Sequence, residues 1–339
     1  MDAPLWTESH APSLSELPQP EVREYLERAV DEPINLLVQG PPGCGKTAAV
    51  RALAREAHAD PDNDLVEINV ADFFGRTKTE IKNDPRFAGF LVGRSALSKR
   101  EMINHVLKES ASYAPVSGSY RTILLDNAED AREDFQQALR RIMERHHRTT
   151  QFVIATRRPG SLIAPIRSRT FPVRMRAPTS EETVAVLERI VDREDVAHDA
   201  DGLEFVAGYA DGNLRRAILA AQTTAVEEGE VTMAAAYETL GDVGVDGEIE
   251  EMLAAAEDGE FTDARKRLDG LLVDEGLSGA EVLEAILDAA RSRYRGPELA
   301  RLHRLAADVE FAMGEGTSDR LHVSRLLAEL GREEPTARS

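Results

Sequence analysis

Residues 40–47 read Gly40-Pro41-Pro42-Gly43-Cys44-Gly45-Lys46-Thr47. The stretch matches the pattern G-x-x-x-x-G-K-[ST] and stands between a largely apolar run at 34–38 and a helix-favouring run at 48–54. Glycines let backbone N–H groups turn toward phosphates, and the N-terminus of the following helix favours an anion. The alternative is a glycine-rich turn that binds nothing, and the fit of the whole motif and both flanks argues against it. We therefore predict a nucleoside triphosphate site.

Lys46, Thr47 and Asp126 carry the charge and the metal contacts of the predicted site. Lys46 would reach the β- and γ-phosphates of ATP, and Thr47 would place its hydroxyl on Mg²⁺. Asp126 ends the apolar run 121–125, where P-loop ATPases keep the carboxylate that holds Mg²⁺ through water. A simple helix cap is the alternative role for Asp126. We expect ATP and Mg²⁺ as cofactors.

The residue after Asp126 decides how much chemistry the site performs. Many P-loop ATPases have a glutamate here that orients and deprotonates the attacking water, whereas this chain has Asn127. An amide can orient water but cannot accept its proton, and a catalytic base commonly contributes about 10²–10⁴-fold. Glu129 is the nearest possible substitute. The sequence therefore predicts nucleotide binding and leaves turnover at this site open.

The length and the cysteine count limit the class of protein. A chain of 339 residues is long enough for two or three domains, because single cores usually stop growing near about 250–300 residues. Cys44 is the only cysteine, which excludes a disulfide framework or a cysteine-based metal site within one chain. The sequence has no apolar run of about 18 residues and no secretory pattern at its start. These features favour a reducing cytoplasm and no membrane partner.

The charge balance is strongly acidic, with a net charge of −20 and only six lysines among the 41 basic residues. An excess of carboxylates with little lysine fits adaptation to high salt, where charge repulsion is screened within a few ångströms. An acidic surface that meets a basic partner is the alternative. Under the salt-adapted interpretation, net charge is poor evidence against DNA binding, since a few clustered arginines can still contact phosphates.

The order of the elements predicts an α/β domain followed by helices. Strands alternate with helices as far as residue 173, which is typical of a parallel sheet with ligands at the strand carboxyl ends. After Pro178 we expect no further strands, a four-helix unit, a linker at 241–247 and another helical block. The predicted domains are 1–176 for nucleotide binding, 177–242 for a helical lid, 246–332 for a helical collar and 333–339 for a tail.

Four stretches, taken in order, resemble one family. Residues 123–144 are similar to the strand and following helix of replication factor C small subunits, which usually read Asp-Glu-Ala-Asp at the strand end. Residues 166–170 resemble the Ser-Arg-Cys motif of that family, residues 212–218 its sensor 2 segment, and residues 310–316 a signature of its collar. The resemblance spans nearly the whole chain. It implies an AAA+ clamp-loader subunit with a P-loop domain on a parallel sheet, an all-helical lid and an all-helical collar domain.

The resemblance also implies roles for individual arginines and for partners. Arg169 would be an arginine finger acting in trans on a neighbouring subunit's ATP, and Arg215 would be sensor 2. The implied partners are a large subunit and other small subunits in a hetero-pentamer, the sliding clamp (PCNA) and primer–template DNA. DNA phosphates would meet the helix that carries Arg76, Lys78 and Lys82.

Three departures from the family pattern surround the predicted site. Asn127 stands where a glutamate is usual, Thr156-Arg157 stands at sensor 1 in place of asparagine, and residues 9–12 replace a basic box. Thr156 can supply the hydrogen bond of the missing asparagine. The competing hypotheses are a motor subunit and a nucleotide-bound structural subunit that donates Arg169, with Asn127 favouring the second. Another AAA+ DNA machine, such as a Holliday-junction helicase, is the third.

Overall fold

A computed structural model describes residues 4–70, 77–83, 91, 97–112, 115–116, 118, 120–241, 245–274, 277–315 and 318–331 of the chain. The chain divides into two compact units, Met1–Thr239 and Leu240–Ser339. The first unit contains the motif at 40–47, the sheet and most of the helices that follow it. The second unit is entirely helical over its described residues.

A five-stranded parallel sheet forms the centre of the first unit, with the strand order β2-β3-β4-β1-β5. Its strands are β1 (Leu36–Gln39), β2 (Leu65–Asn69), β3 (Arg121–Asp126), β4 (Thr150–Thr156) and β5 (Phe171–Arg174). Because all strands run in one direction, the carboxyl ends of β1, β2, β3 and β4 meet at one edge of the sheet. The predicted parallel α/β sheet is confirmed.

Helices cover both faces of the sheet, as the apolar strands require. The described helices of this part of the chain, four of which have only four to six residues, are α1 (Trp6–Ser9), α2 (Pro20–Asp31), α3 (Lys46–Ala57), α4 (Pro61–Asp64), α5 (Lys78–Asn83), α6 (Lys99–Ser112), α7 (Glu133–His146) and α8 (Ala164–Arg167). Side chains alternate along β3, so Ile123 and Leu125 pack with α6 and α7 whereas Leu124 packs with α2 and α3. The two cores thereby fix β3 and the residues that follow it.

The Pro- and Ser-rich composition of residues 1–20 predicts an extended lead-in, but residues 4–20 are more ordered than this. In place of an extended lead-in, the structure has α1 and a 3₁₀ turn at Leu14–Glu16. Trp6 is buried, and its backbone N–H donates to Gln222 Oε1 at 2.9 Å. Ser13 and Glu16 form a capping box, which stabilises the turn. Burial of one tryptophan against a distant helix therefore overrides the Pro-rich composition.

Four helices follow the sheet, namely α9 (Ser180–Arg193), α10 (Ala200–Ala210), α11 (Leu214–Glu228) and α12 (Met233–Gly241). The expectation that strands stop after Pro178 is wrong in one detail, since β6 (Ala197–His198) pairs in parallel with β7 (Glu230–Val231). The pair joins the turns that precede α10 and α12. The predicted linker is also shorter than expected, because α12 ends at Gly241 and the next helix begins at Val245, with 242–244 outside the described residues.

The second unit consists of α13 (Val245–Glu257), α14 (Phe261–Asp269), α15 (Gly279–Arg293), α16 (Gly296–Glu315) and α17 (Asp319–Leu330). Its core is made of buried side chains from all five helices, including Leu253, Leu268, Ile286, Leu302 and Leu326. The predicted helical block is confirmed, and the tail at 333–339 lies outside the described residues. Within the described part of the chain, no helix is long and apolar enough to cross a membrane.

A buried polar network that includes one histidine lies at the amino ends of β3 and β4. His58 Nε2 lies 2.8 Å from Thr122 Oγ1, and that hydroxyl donates to Gln151 Oε1 at 3.0 Å. Burial lowers the pKa of His58, and the nearby Asp64 carboxylate opposes this effect only in part. The folded state therefore prefers the neutral ring.

We expect the free energy of unfolding of the first unit to fall as the pH drops below about 6.5, the pKa of histidine in an unfolded chain. A histidine whose pKa is lowered on folding contributes stability above that pH and loses it as the ring is forced to accept a proton. Urea unfolding at pH 8 and pH 5 measures the effect, with His58→Asn as the control. An equal loss in wild type and variant would assign the pH dependence to other groups.

Candidate nucleotide site

The loop between β1 and α3 adopts a left-handed backbone conformation, which favours glycine, at two positions. Gly43 has φ = 69° and Gly45 has φ = 93°, both in the left-handed region. A Cβ atom on Gly43 would lie 1.8 Å from Asn213 Oδ1, and one on Gly40 would lie 2.3 Å from the carbonyl oxygen of Met175. The glycines therefore serve both the turn of the loop and its close approach to other segments.

Lys46 places a buried positive charge inside this loop. Its side-chain ammonium donates to the carbonyl oxygens of Gly40 at 3.0 Å and Pro41 at 2.8 Å, and the residue is only 8% exposed. Burial raises the pKa of the neighbouring Cys44 thiol, although the Lys46 charge acts in the opposite direction, so the thiol stays neutral. A buried ammonium at a helix N-terminus, with no thiolate beside it, favours an anionic ligand.

Thr47 and Asp126 are brought together from two different elements. The Thr47 hydroxyl, on the first turn of α3, donates to Asp126 Oδ2 at the end of β3 over 2.7 Å. These are oxygen ligands, which Mg²⁺ prefers, and Mg²⁺ is usually held by one or two carboxylates together with substrate phosphates. Among the described residues, no group of three or more His, Cys, Asp or Glu side chains forms a metal cage. The residues present fit a magnesium ion bound with a nucleotide.

Asn127 follows Asp126 in a left-handed conformation, with φ = 51° and ψ = 45°. Asparagine tolerates this conformation better than most residues do. Its backbone N–H donates to Asp126 Oδ1 at 2.9 Å, and its side-chain Nδ2 donates to Asn69 Oδ1 at 3.2 Å. Asn127 thus joins the ends of β2 and β3 through two amides, beside the Asp126 carboxylate.

Glu129, the nearest substitute for a catalytic base, is engaged elsewhere. Its buried carboxylate accepts hydrogen bonds from Thr156 Oγ1 at 2.7 Å, Arg157 N at 3.1 Å and Arg157 Nε at 2.6 Å. Burial alone would raise the pKa of Glu129, but the hydrogen bonds from Arg157 and Thr156 outweigh it and lower the pKa. Glu129 is therefore ionised and fixes the carboxyl end of β4, and the Thr156 hydroxyl is directed to Glu129.

This set of three side chains was not predicted from the sequence. The signal that points to it is the adjacency of β3 and β4 in a parallel sheet, which brings residues just beyond Asp126 close to Thr156. From the sequence, Glu129 and Thr156 have separate predicted roles, and nothing in it pairs them.

Gln136 connects the site to the segment that carries Arg169. Its Nε2 donates to the carbonyl oxygens of Ala131 at 2.8 Å and Ser161 at 3.1 Å, and its Oε1 accepts from Ile163 N at 2.7 Å. These bonds hold α7 against the turn that leads into α8. Gln136 is buried, so each of its polar atoms depends on these partners.

Arg169 lies in the turn between α8 and β5, next to the amino end of β1, whereas the loop at 40–47 follows the carboxyl end of that strand. Its guanidinium donates to the Pro165 carbonyl oxygen at 2.8 Å through Nη1, and Nη2 pairs with Glu144 Oε1 on α7 at 2.7 Å. The Arg169 side chain is 38% exposed. The structure therefore separates Arg169 from Lys46, Thr47 and Asp126 of its own chain and presents it at the surface.

The N-terminus of α11 approaches the loop closely. Asn213 caps the helix by accepting from Arg216 N at 3.1 Å, and the backbone N–H of Arg215 faces the Gly43 carbonyl oxygen at 3.4 Å. The Arg216 guanidinium lies 4.1 Å from the centre of the Tyr209 ring, which gives that arginine a structural role. Arg215 is exposed on the first turn of the same helix, next to the loop.

Two of the three residues predicted to contact DNA are described. Lys78 and Lys82 lie exposed on α5, whereas Arg76 falls outside the described residues. Their DNA contact stays a prediction.

Two family models match the chain. Residues 36–179 match the ATPase family associated with various cellular activities (AAA), and residues 246–329 match the replication factor C C-terminal domain. The chain is 32% identical to the replication factor C small subunit of Sulfurisphaera tokodaii over 335 residues, which cover 96% of this chain and 94% of that protein. It is 28% identical to the small subunit of Halobacterium salinarum over 332 residues, with 96% and 95% covered.

Among solved structures, the RuvB Holliday junction branch migration motor of Thermotoga maritima is similar, with a TM-score of 0.53 and 17% identity over 82% of this chain and 90% of that chain. A likeness at this identity concerns the fold alone. It agrees with the AAA+ fold predicted from the sequence, which is confirmed.

Proposed function

The chain belongs to the replication factor C small-subunit family, an AAA+ clamp-loader family, and on that basis we propose that it binds ATP and Mg²⁺ and helps load a sliding clamp onto primer–template DNA. It acts within a hetero-pentamer that contains a large subunit and other small subunits. The clamp is PCNA. The observation that carries the proposal is the 2.7 Å bond between Thr47 and Asp126 beside the buried Lys46.

Each part of the nucleotide has a candidate partner in the site. Lys46 and the N–H groups of the loop contact the β- and γ-phosphates, while Thr47 and Asp126 hold Mg²⁺. Bound Mg²⁺ neutralises charge on the phosphate oxygens. Arg215 reaches the γ-phosphate from α11, a role supported by the approach of that helix to Gly43.

We further propose that this subunit contributes mainly to the turnover of its neighbour. Asn127 offers no group that can accept the proton of water, and Glu129, the nearest possible substitute for a catalytic base, is held by Thr156 and Arg157. Hydrolysis at its own site is then slow. Arg169, exposed and distant from that site, is suited to act in trans on ATP held by the adjacent subunit. A nucleotide-bound structural subunit with no turnover is the second candidate, and Asn127 favours it as well.

The same proposal assigns a role to each predicted domain. Residues 1–176 bind nucleotide, 177–242 form the lid and 246–332 form the collar through which subunits assemble. DNA phosphates are contacted without sequence preference by the segment that contains Arg76, Lys78 and Lys82.

Nucleotide binding and clamp loading by a reconstituted complex test this function. We expect Lys46→Ala to weaken binding of a fluorescent ATP analogue at this subunit by roughly 10²-fold. A charge-assisted hydrogen bond to phosphate contributes about 1.5–3 kcal/mol, and burial of the site increases this contribution. Complexes that lack the chain should fail to load the clamp on primed circular DNA in molar KCl. Unchanged nucleotide binding by Lys46→Ala, or normal loading without the chain, would contradict the proposal.

A further inference from the structure

The Arg169 side chain is held from two sides by its own chain. Nη1 donates to the carbonyl oxygen of Pro165 on α8 at 2.8 Å, and Nη2 pairs with Glu144 Oε1 on α7 at 2.7 Å. A free arginine side chain samples many rotamers, so two anchors on its guanidinium restrict the directions in which the side chain can point. The main-chain anchor comes from the same turn as Arg169, whereas Glu144 is supplied by a separate helix.

The helix that carries Glu144 is itself fixed relative to the nucleotide site. α7 begins shortly after Asp126 and Asn127, and Gln136 bonds it to the turn before α8. Glu144 lies in its last full turn, where the carboxylate also meets Arg140 at the longer distance of 3.8 Å. The shorter contact belongs to Arg169.

The exposure of the pair matters for its function. Glu144 is 43% exposed and Arg169 is 38% exposed, and an ion pair this close to water is weak. Glu144 therefore directs the guanidinium without binding it strongly. A phosphate group of the ATP bound by a neighbouring subunit carries more charge than the Glu144 carboxylate and accepts two parallel hydrogen bonds. The Arg169 guanidinium can therefore move from Glu144 to that phosphate readily.

We propose that Glu144 is a positioning residue that holds Arg169 ready to act in trans. This role rests on the proposed function of Arg169 as a finger for the neighbouring ATP. Without the Glu144 charge, the side chain must be ordered during the reaction, and ordering one such side chain costs about 0.5–1.5 kcal/mol. At about 1.4 kcal/mol per factor of ten, the expected loss of rate is roughly 2- to 10-fold.

The experiment uses a reconstituted complex in which only the site facing Arg169 can hydrolyse ATP, and it compares wild type, Glu144→Gln, Arg169→Ala and the double variant. We expect Glu144→Gln to lower kcat roughly 2- to 10-fold with KM nearly unchanged. In the Arg169→Ala background the same substitution should have no further effect, because there is no guanidinium left to position. Glu24→Gln is the matched control, since it removes another exposed glutamate–arginine pair, with Arg28, on α2.

Three results would overturn the proposal. Turnover equal to or above wild type in Glu144→Gln would mean that the pair does not assist Arg169 or sequesters it. A loss of the same size in the Arg169→Ala background would show a structural role for Glu144. If Arg169→Ala itself leaves turnover unchanged, the proposed finger is wrong and the role of Glu144 is rejected with it.

Discussion

Arg169→Ala should lower ATP turnover at the neighbouring site by roughly 10³-fold or more, within the range of about 10³–10⁵ that arginine fingers contribute. The finger neutralises charge that develops on the transferred phosphoryl group, and water replaces it poorly because a water dipole must reorient during the reaction. The effect should fall on kcat, since the contact matters most in the transition state. Nucleotide binding by this chain should stay normal, because Arg169 contacts Pro165 and Glu144 rather than the loop at 40–47.

The measurement requires a complex in which the other subunits carry inactive sites, so that all turnover comes from the site that faces Arg169. Arg167→Ala is the matched control, because Arg167 is an exposed arginine two positions earlier, in the last turn of α8. Equal losses in the two variants would point to damaged assembly rather than a missing finger. Unchanged turnover in Arg169→Ala would exclude the trans mechanism.

The features that could be predicted from the sequence are those whose residues lie close together in the chain. The loop at 40–47 combines a strand end, glycines and a helix start within a short stretch, so its geometry follows from local rules. Asp126 could be placed because it ends an apolar strand. Its 2.7 Å bond to Thr47 agrees with the roles assigned to both residues.

The features that could not be predicted depend on pairing between distant segments. Glu129 was considered a possible base, yet its environment is set by Thr156 and Arg157 at the end of another strand. Arg169 forms an ion pair with Glu144. The separation of these two residues in the sequence does not reveal this pair, because many other charged residues lie between them and around them in the chain. The sequence around Trp6 predicts an extended segment, whereas Trp6 is buried and its backbone N–H donates to Gln222, far away in the sequence.

Asn127→Glu should raise ATP turnover at this chain's own site by roughly 10²-fold, the lower end of the range of about 10²–10⁴ for a general base. A polar partner is already present at this position, since Asn127 Nδ2 donates to Asn69 Oδ1 at the end of β2. A carboxylate at position 127 can accept a hydrogen bond from the Asn69 amide once that amide is turned around. It then stands next to Asp126, where the attacking water is expected.

The left-handed backbone at position 127 disfavours glutamate, but the energy cost of this strain is smaller than the energy that corresponds to the expected gain in rate. Asn127 is left-handed, and a residue other than glycine, asparagine or aspartate in this conformation costs about 1–2 kcal/mol. A 10²-fold gain in rate corresponds to about 2.7 kcal/mol. The strain lowers the stability of the fold rather than raising the barrier of the reaction, so we expect faster turnover together with a slightly lower Tm.

Asn127→Gln separates the two effects, because glutamine has the length and the backbone preference of glutamate but cannot accept a proton. Steady-state turnover should increase only in Asn127→Glu, in a complex where this chain's site alone is active. A similar increase in both variants would show that side-chain length, rather than a base, limits the reaction. If neither variant is faster while Glu129→Gln lowers wild-type turnover, the base is Glu129, released from Thr156 and Arg157 when the subunits assemble, and Asn127 does not limit turnover.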